Sequence, residues 1–234
     1  MKNDKKISVA IDGPSGAGKS TVARALAKRF HLIYVDTGAI YRTVGLAAQR
    51  AEISSKDSDA VIALLPEIRI DIAYDAEGAQ RMLLNGEDVS EEIRTPRSSI
   101  YASDVSAIPE VRAFLMDMQR DMARRHSVVM DGRDIGTVVL PDADVKIFLT
   151  ASPEARAQRR YLELQMRGSA ASYAEVLRDI EYRDLQDSTR AAAPLKPASD
   201  AVFIDSSHLS FEESVTAAAK LIEDWFENEA ADPC

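Results

Sequence analysis

The amino-acid sequence predicts an α/β fold built on a parallel sheet. Short runs of β-branched and other apolar residues alternate with longer segments of helical pattern, and this alternation is typical of strand-helix-strand units. Several of the short runs are followed directly by glycine-containing segments, at the strand ends where parallel sheets bind ligands. The chain has 234 residues, 46% of them hydrophobic, and is long enough to bury a sizeable core.

Five short apolar runs are the predicted strands of this sheet. They cover residues 7–11, 32–36, 127–131, 145–149 and 201–205. Helices are predicted over residues 19–30 and 38–50, and a further helix runs from Phe211 to Trp225, where the apolar residues form one stripe at helical spacing. We expect this last helix to pack on the sheet, with Trp225 in the core.

One region departs from this alternation of strands and helices. Residues 68–72 carry isoleucine at every second position, and a second apolar run at residues 81–84 precedes Asn85-Gly86, a dipeptide typical of hairpin turns. Residues 68–89 therefore predict a small antiparallel sheet, which we interpret as an insertion into the larger fold.

A second unusual region, residues 153–190, is helical in pattern, rich in charge and poor in apolar residues. Such a segment usually covers a site or faces solvent, so we expect a lid there. Helical spacing places each of two charged groups on one face: Arg156, Arg159 and Arg160, and then Arg183, Asp187 and Arg190. Local basic clusters on an acidic protein favour an anionic substrate, whereas surface ion pairing is the alternative.

Composition and charge argue against several classes of function. The chain carries 29 basic and 38 acidic residues, a formal charge of −9 and a pI of about 5.0, opposite in sign to a nucleic-acid or anionic-membrane binder. The single cysteine, Cys234, excludes an internal disulfide or a thiolate zinc cage and fits a reducing compartment. The apolar stretch at residues 7–11 is too short for a signal core or a membrane span, so we expect a cytoplasmic protein.

The strongest motif is a G-x-x-x-x-G-K-[ST] pattern between the first predicted strand and the first predicted helix. Its residues are Gly13, Pro14, Ser15, Gly16, Ala17, Gly18, Lys19 and Ser20. Glycines let the backbone curl around a phosphate, and free N–H groups at the start of the helix point at it. We expect Lys19 to reach the outer phosphates of a nucleotide and Ser20 to ligate Mg²⁺. The alternative is a glycine-rich turn that merely precedes a helix.

Two further polar segments follow predicted strands. In the first, Thr37 begins a helix and Arg42 lies about one turn into it. Arg42 beside a helix N-terminus suits a second phosphate group, although Thr37 alone could be an ordinary helix cap. The second segment offers two carboxylates, Asp131 and Asp134, and the Arg133 guanidinium; a buried salt-bridged turn is the alternative there.

Together these segments resemble the bacterial cytidylate kinases, a family of nucleoside-monophosphate kinases. The resemblance rests on residues 11–20, 36–42, 84–89, 93–95, 131–137, 141, 146–149 and 190–195, and it extends over about residues 7–225. The phosphate-loop pattern alone specifies only a nucleoside-triphosphate site, whereas the linked set of segments is specific to this family. The resemblance implies a three-layer fold with a parallel core sheet, an inserted antiparallel β subdomain and a helical lid.

The resemblance also implies a division of the chain into three parts. The core would comprise residues 1–38, 104–152 and 188–234. Residues 39–103 would bind the nucleoside monophosphate and would contain the β insertion at about residues 62–90. Residues 153–187 would form the lid and the helix that follows it.

The implied activity is phosphorylation of CMP and dCMP by ATP with Mg²⁺, by a protein that acts as a monomer and has no nucleic-acid or membrane partner. By the same resemblance, the catalytic residues would be Lys19, Arg42, Arg133 and Arg190. The ATP-binding residues would be the loop from Gly13 to Ser20, with Thr21 and Arg159. The cytosine contacts would be Ser103, Arg112 and Asp134, the sugar contacts Arg183 and Asp187, and the groups around the acceptor phosphate Thr37, Arg42, Arg133 and Arg190. The family often has Ser at the position of Thr37, which keeps the hydroxyl, and Thr or Gly at that of Ser20.

Three other interpretations differ from this one in testable ways. Another small phosphate-loop kinase would act on UMP or on a hydroxylated metabolite; an anionic Asp134 argues for cytosine, whose amino group donates where uracil has a carbonyl. A nucleotide switch of the GTPase type would carry the Asn-Lys-x-Asp guanine signature, which this sequence lacks. A nucleic-acid-binding regulator is opposed by the net charge of −9.

Overall fold

The computed structural model describes residues 6–166 and 168–231, so Cys234 lies outside the described residues. The strands are β1 (Ser8–Asp12), β2 (Ile33–Asp36), β3 (Ile70–Tyr74), β4 (Gln80–Leu84), β5 (Glu87–Asp88), β6 (Val128–Gly132), β7 (Val145–Thr150) and β8 (Val202–Asp205). The helices are α1 (Lys19–Phe30), α2 (Thr37–Arg50), α3 (Ser58–Leu64), α4 (Pro96–Val105), α5 (Pro109–Arg125), α6 (Pro153–Met166), α7 (Tyr173–Thr189) and α8 (Phe211–Ala231). Short helical turns cover Leu65–Glu67, Glu92–Arg94 and Ile135–Val139.

The core of the described chain is a parallel sheet of five strands in the order β2-β6-β1-β7-β8. Each strand corresponds to one of the predicted runs and begins within one residue of its predicted start. Asp12 of β1 is level with Gly132 of β6, and Asp36 of β2 is level with Asp131 of β6. The predicted parallel α/β sheet is confirmed, and the carboxyl ends of β1, β2 and β6 lie side by side.

Helices cover both faces of this sheet. Alternate residues of a strand point to opposite faces, so Ala10 packs in one buried cluster with Leu115 of α5, and Ile11 packs in another with Ile222 of α8. Trp225 is partly buried against the second cluster, which confirms its expected place in the packing of the last helix. The result is the expected layered arrangement of helices around a buried sheet.

The insertion is an antiparallel sheet formed by β3, β4 and β5. Asn85-Gly86 connects β4 to β5 with φ angles of 52° and 88°, the left-handed pair that a type I′ hairpin turn requires. The Tyr74 hydroxyl donates to the backbone oxygen of Tyr34 at 3.0 Å, which ties the insertion to the edge strand β2 of the core sheet. The predicted inserted sheet is confirmed.

The charge-rich segment forms the helix pair α6–α7. Ala157 of α6 packs with Val176 and Ile180 of α7 in a small buried cluster, so the pair has a core of its own even though few apolar residues were expected to be buried there. Helix α7 ends at Thr189, and Arg190 follows the helix instead of lying on its face as the spacing predicts.

The described helices include none that is both long and apolar enough to cross a membrane. The longest of them, α8, has 21 residues and carries Glu212 and Glu213 in its first turn. These acidic side chains lie near the helix N-terminus, where the helix dipole favours negative charge.

Helices α2 and α4 pack in direct contact at Gly45. A Cβ atom at this position would lie 2.8 Å from the Tyr101 Cβ and 3.3 Å from the backbone nitrogen of Ala102. We expect overpacking in Gly45→Ala to cost about 1–3 kcal/mol. Alanine is a better helix former than glycine by about 1 kcal/mol, which offsets only part of that cost. The variant should therefore be less stable than the parent. Urea unfolding of both proteins measures the difference. A variant more stable than the parent would contradict this close packing.

Candidate active site

The site lies at the carboxyl ends of β1, β2 and β6, where the three predicted polar segments meet. Each strand leads directly into one segment: β1 into the loop at residues 13–18, β2 into α2, and β6 into residues 133–134 and the helical turn Ile135–Val139. Because these strands are neighbours in the sheet, segments far apart in sequence come together at one edge of the sheet.

The loop after β1 has the backbone of a phosphate-binding loop. Gly16 and Gly18 take φ angles of 78° and 90°, in the left-handed region that favours glycine. Gly18 precedes the first residue of α1, and no side chain caps this helix, so its first N–H groups face the loop. Gly13 lies directly against β7, since a Cβ atom on Gly13 would be 1.9 Å from the backbone oxygen of Leu149. Thr21, predicted as part of this loop site, is exposed in the first turn of α1.

Lys19 is buried beneath this loop. Its Nζ donates to the Pro14 oxygen at 2.8 Å, and only 5% of the residue is exposed. Burial, with a smaller contribution from the Arg133 guanidinium, lowers the pKa of Lys19 to about 7, while Asp131, Asp187 and Asp12 oppose that shift. An anionic phosphate in the loop would favour the charged form of Lys19.

Asp131 joins the loop to the middle of the site. Its carboxylate accepts a hydrogen bond from the Ser20 hydroxyl at 3.0 Å and another from the Tyr34 hydroxyl at 2.7 Å. Burial, and then the nearby charge of Asp36, raises the pKa of Asp131. A serine hydroxyl beside a buried carboxylate is the kind of oxygen donor set that Mg²⁺ prefers.

The oxygen donors at this point fit a magnesium ion shared with a nucleotide. Within the described ranges, no group of three or more His, Cys, Asp and Glu side chains is arranged to hold a metal ion. Mg²⁺ usually keeps water ligands and binds through one or two protein oxygens together with substrate phosphates. Ser20, with Asp131 behind it, is placed for that mode of binding.

The start of α2 positions Thr37 and Arg42. Asp36 caps the helix, since its Oδ1 accepts from the Ala39 N–H at 2.9 Å, and its Oδ2 accepts from Arg42 at 2.9 Å. The alternative that Thr37 is the helix cap is therefore wrong; its hydroxyl donates to the Asp131 backbone oxygen at 2.7 Å. The Nε of Arg42 is buried without a hydrogen-bond partner in the described chain, so this guanidinium retains a donor for a ligand.

Asp134 lies between two arginines. Its carboxylate accepts from Arg112 and, at 3.3 Å, from Arg190. Arg190 also donates to the Ser106 hydroxyl at 3.0 Å and to the Ala193 oxygen at 2.8 Å. Burial raises the pKa of Asp134, and the two guanidinium groups oppose that rise. Arg190, expected near the acceptor phosphate, thus contacts the predicted cytosine group in this structure.

A second ion pair joins the loop after β6 to α7. Arg133 donates from Nε to Asp187 at 2.7 Å. Burial alone would raise the pKa of Asp187, but Arg133 and its neighbouring cations hold it below its usual value. Burial and the charge of Arg133 lower the pKa of Arg183 to about 10, and the buried Arg183 Nε lacks a hydrogen-bond partner among the described residues. Around Asp187, therefore, cations outnumber the carboxylate, and Arg183 keeps a donor that is unpaired within the described chain.

The three arginines of α6 do not act as one basic face. Arg156 is 2% exposed; it donates to the Ser15 oxygen at 3.0 Å and pairs with Asp184 of α7. Arg159 donates to the Ser206 hydroxyl at 3.2 Å, and that hydroxyl lies 3.4 Å from the Ala17 oxygen of the phosphate loop. Arg160 pairs at 2.8 Å with Glu163 on its own helix and is 38% exposed at the side chain.

An open cavity of about 460 Å³ adjoins Asp187 and Arg190. Its lining includes Ser103 of α4, Asp187 and Arg190 from the ion pairs, and Tyr182 and Gln186 of α7. The cavity therefore brings Ser103 together with the predicted sugar and phosphate contacts.

Sequence reasoning missed several residues of this site. Asp12 ends β1 and binds the backbone of the turn after β6, and its position at a strand end was a usable signal. Tyr34 lies inside a predicted strand and looked like an ordinary core residue. Ser106 and Asp184 have no local sequence signal, because their partners are distant in the chain.

Comparison with known proteins gives a consistent result. A family model described as cytidylate kinase matches residues 9–224. The cytidylate kinase of Caldicellulosiruptor saccharolyticus is 51% identical over 217 residues, which are 93% of this chain and 96% of that protein. The cytidylate kinase of Geobacter sp. (strain M21) is 53% identical over 205 residues, 88% of each chain. That of Caldicellulosiruptor bescii is 49% identical over 225 residues, 96% of this chain and 99% of that protein. With a matching model over most of its length and relatives at about half identity, this chain belongs to the cytidylate kinase family.

Proposed function

We propose that this protein transfers the terminal phosphoryl group of ATP to CMP and dCMP, giving CDP and dCDP. The observation that carries the proposal is the convergence of cations at adjacent strand ends and on the neighbouring helix α7, with the buried Lys19 and its loop on one side and the partly buried Arg42, Arg133 and Arg183 on the other. Two binding places for anions in one cleft are what a reaction between two nucleotides requires. Membership of the cytidylate kinase family supports the same reaction.

The phosphate loop would hold ATP. Its N–H groups and the start of α1 would cradle the β- and γ-phosphates, and Lys19 would exchange its contact with the Pro14 oxygen for the phosphate oxygens. Ser20, supported by Asp131, would hold Mg²⁺, which when bound neutralises charge on the β- and γ-phosphates. Arg159, close to the loop through Ser206, is the α6 arginine best placed to contact ATP.

The acceptor phosphate needs cations more than it needs a base. A nucleoside monophosphate is already mostly dianionic near neutral pH, so its oxygen attacks without a general base. Two unit charges about 4 Å apart repel by about 4 kcal/mol at an effective dielectric constant near 20. Arg42, Arg133 and Arg190 would offset this repulsion, with Thr37 beside them, and would stabilise the charge that spreads over the group in transfer.

The base pocket would distinguish cytosine from other bases by the positions of its hydrogen-bond donors and acceptors. Asp134 offers an anionic acceptor to the cytosine amino group, and Arg112 offers donors to the O2 and N3 side. Both side chains are buried and paired with each other, so the base would insert beside a preformed pair. Ser103 would complete the base contacts, and Arg183 and Asp187 would contact the sugar from α7.

Residues 153–187 would act as the lid that excludes water, residues 39–103 as the monophosphate-binding part, and the rest as the core. We expect the protein to act as a monomer. We also expect it to act in the cytoplasm, since a single cysteine among 234 residues fits a reducing compartment.

An acceptor panel tests the proposed function. CMP, dCMP, UMP and AMP are offered with ATP and Mg²⁺, and ADP release is followed by a coupled assay. We expect kcat/KM for CMP and dCMP to exceed that for UMP and AMP by about tenfold or more, the discrimination that a polar base pocket provides. Equal use of UMP would remove the base preference, and no use of any nucleotide would overturn the proposal.

Replacement of Lys19 tests the phosphate loop. Lys19→Ala removes the buried cation next to the transferring group, so we expect kcat to fall by about 10²- to 10³-fold with the fold retained. The matched control is Lys28→Ala, an exposed lysine on the same helix, which should keep wild-type turnover. Steady-state kinetics and circular dichroism measure both effects, and near-wild-type turnover of Lys19→Ala would count against the assignment.

Replacement of Asp134 tests the base pocket. Asp134→Asn replaces an anionic acceptor by an amide, so we expect KM for CMP to rise by about tenfold or more while KM for ATP changes little. Discrimination against UMP should also fall, because an amide can donate to a carbonyl. Asp142→Asn, at an exposed position, is the control. An equal loss for both nucleotides would move Asp134 out of the base pocket.

A further inference from the structure

Asp12 is a buried carboxylate to which the proposed reaction assigns no role. It is the last residue of β1, directly before the phosphate loop, and only 4% of it is exposed. Its side chain does not contact that loop through any hydrogen bond found in the described residues. Instead, its two oxygens accept from the consecutive backbone N–H groups of Ile135 and Gly136, each at 2.7 Å.

These two amides begin the short helical turn Ile135–Val139. The residue that precedes this turn, Asp134, makes no side-chain cap for it, so Asp12 caps the turn from another strand. At the opposite end, Arg120 of α5 donates to the backbone oxygens of Val138 and Val139 at 2.9 and 3.0 Å. A carboxylate at the start and a guanidinium at the end both complement the unpaired groups of a helical turn.

The turn matters because of what lies between it and the sheet. Strand β6 ends at Gly132, and the turn begins at Ile135, so Arg133 and Asp134 are the two residues between these fixed points. Parallel pairing places Gly132 beside Asp12, which fixes the first point. The hydrogen bonds from Ile135 and Gly136 to the Asp12 carboxylate fix the second. The same residue thus restrains the backbone on both sides of Arg133 and Asp134.

We propose that Asp12 is a positioning residue that holds Arg133 and Asp134 in register with the phosphate loop, so that the acceptor nucleotide is aligned with the donor. This inference rests on the proposed function for the identity of the two ligands. The phosphate loop has other restraints of its own, from Lys19 to Pro14 and from Arg156 to Ser15. Loss of the Asp12 carboxylate should therefore disturb the acceptor side of the site more than the ATP side.

The environment of Asp12 agrees with this role. Burial raises the pKa of Asp12 to about 6, and the two backbone N–H groups oppose that rise; smaller contributions come from the charge of Asp134, which raises the pKa, and that of Lys19, which lowers it. The carboxylate is therefore ionised near neutral pH, and hydrogen bonds to an ionised acceptor are stronger than neutral ones.

Substitution of Asp12 tests the proposal through the two substrates separately. Asp12→Ala removes both acceptors, and Asp12→Asn keeps one oxygen but places an amide donor against the other N–H. We expect KM for CMP, and the dissociation constant of CMP measured by calorimetry, to rise by about tenfold or more in Asp12→Ala and by less in Asp12→Asn. KM for ATP should stay within about threefold, because the loop keeps its own restraints.

Asp144→Asn is the matched control, since Asp144 also accepts a hydrogen bond from the backbone N–H of a distant residue, Ser8, but at the opposite end of β1 from the site. It should lower stability without a loss specific to CMP. Equal losses of CMP and ATP binding in a folded Asp12 variant, or unchanged CMP binding, would overturn the proposal.

A measurement on the unmodified protein applies even where the variants fail to fold. Hydrogen exchange should find the amides of Ile135 and Gly136 protected by about a hundredfold or more relative to exposed loop amides, since each is hydrogen-bonded and buried. Exchange at the rate of exposed amides would overturn the inferred restraint of this turn by Asp12. Failure of the wild-type protein to phosphorylate CMP would instead overturn the proposed function, and the exchange rates of these two amides would still test the restraint by Asp12.

Discussion

The cations that would bind phosphate here lie in a largely desolvated site, and nearby carboxylates stabilise them there. A buried charge without a partner destabilises a fold, because no interaction compensates for the loss of hydration. In this protein Asp131, Asp134 and Asp187 are nearly inaccessible to solvent, and each lies beside a cation or a hydroxyl donor of the site. The ligand-free cleft is therefore largely neutralised from within. Phosphate oxygens and a cytosine ring would compete with these internal partners, which helps the site to favour ligands of matching charge and hydrogen-bond polarity.

The parallel sheet makes this concentration of charge possible. Three neighbouring strands end together, so acids at positions 12, 36 and 131 lie on adjacent strands without any need for nearby sequence positions. Small residues then allow the segments to approach one another. A Cβ atom on Gly132 would lie 2.8 Å from the Thr37 hydroxyl oxygen, so a larger residue there would separate β6 from the start of α2. Backbone geometry and side-chain chemistry thus depend on the same few positions.

Local patterns predicted most of the fold but only part of the site. The five core strands, the Asn85-Gly86 turn and the phosphate loop were predictable because each depends on neighbours in sequence. Hydrogen bonds between distant segments were not, and Asp12 to Ile135 is an example separated by 123 residues. Both Asp36 and Thr37 are suitable helix caps, and only the end of β2 decides that Asp36 fills the role. The family resemblance supplied residue roles that periodicity alone could not.

The arginines of α6 illustrate why shared spacing does not mean shared function. Arg156 is neutralised by Asp184 and bound to the backbone at Ser15, so it fastens the base of α6 to the phosphate loop. Arg160 lies one turn further along α6. It pairs with Glu163 of the same helix, and both side chains are partly exposed. A helix held at its base and free to exchange surface partners further along can close over a nucleotide without releasing the loop beneath it. If residues 153–187 close as proposed, the contact of Arg156 should therefore persist in the open and closed states, and the distal arginines should change partners.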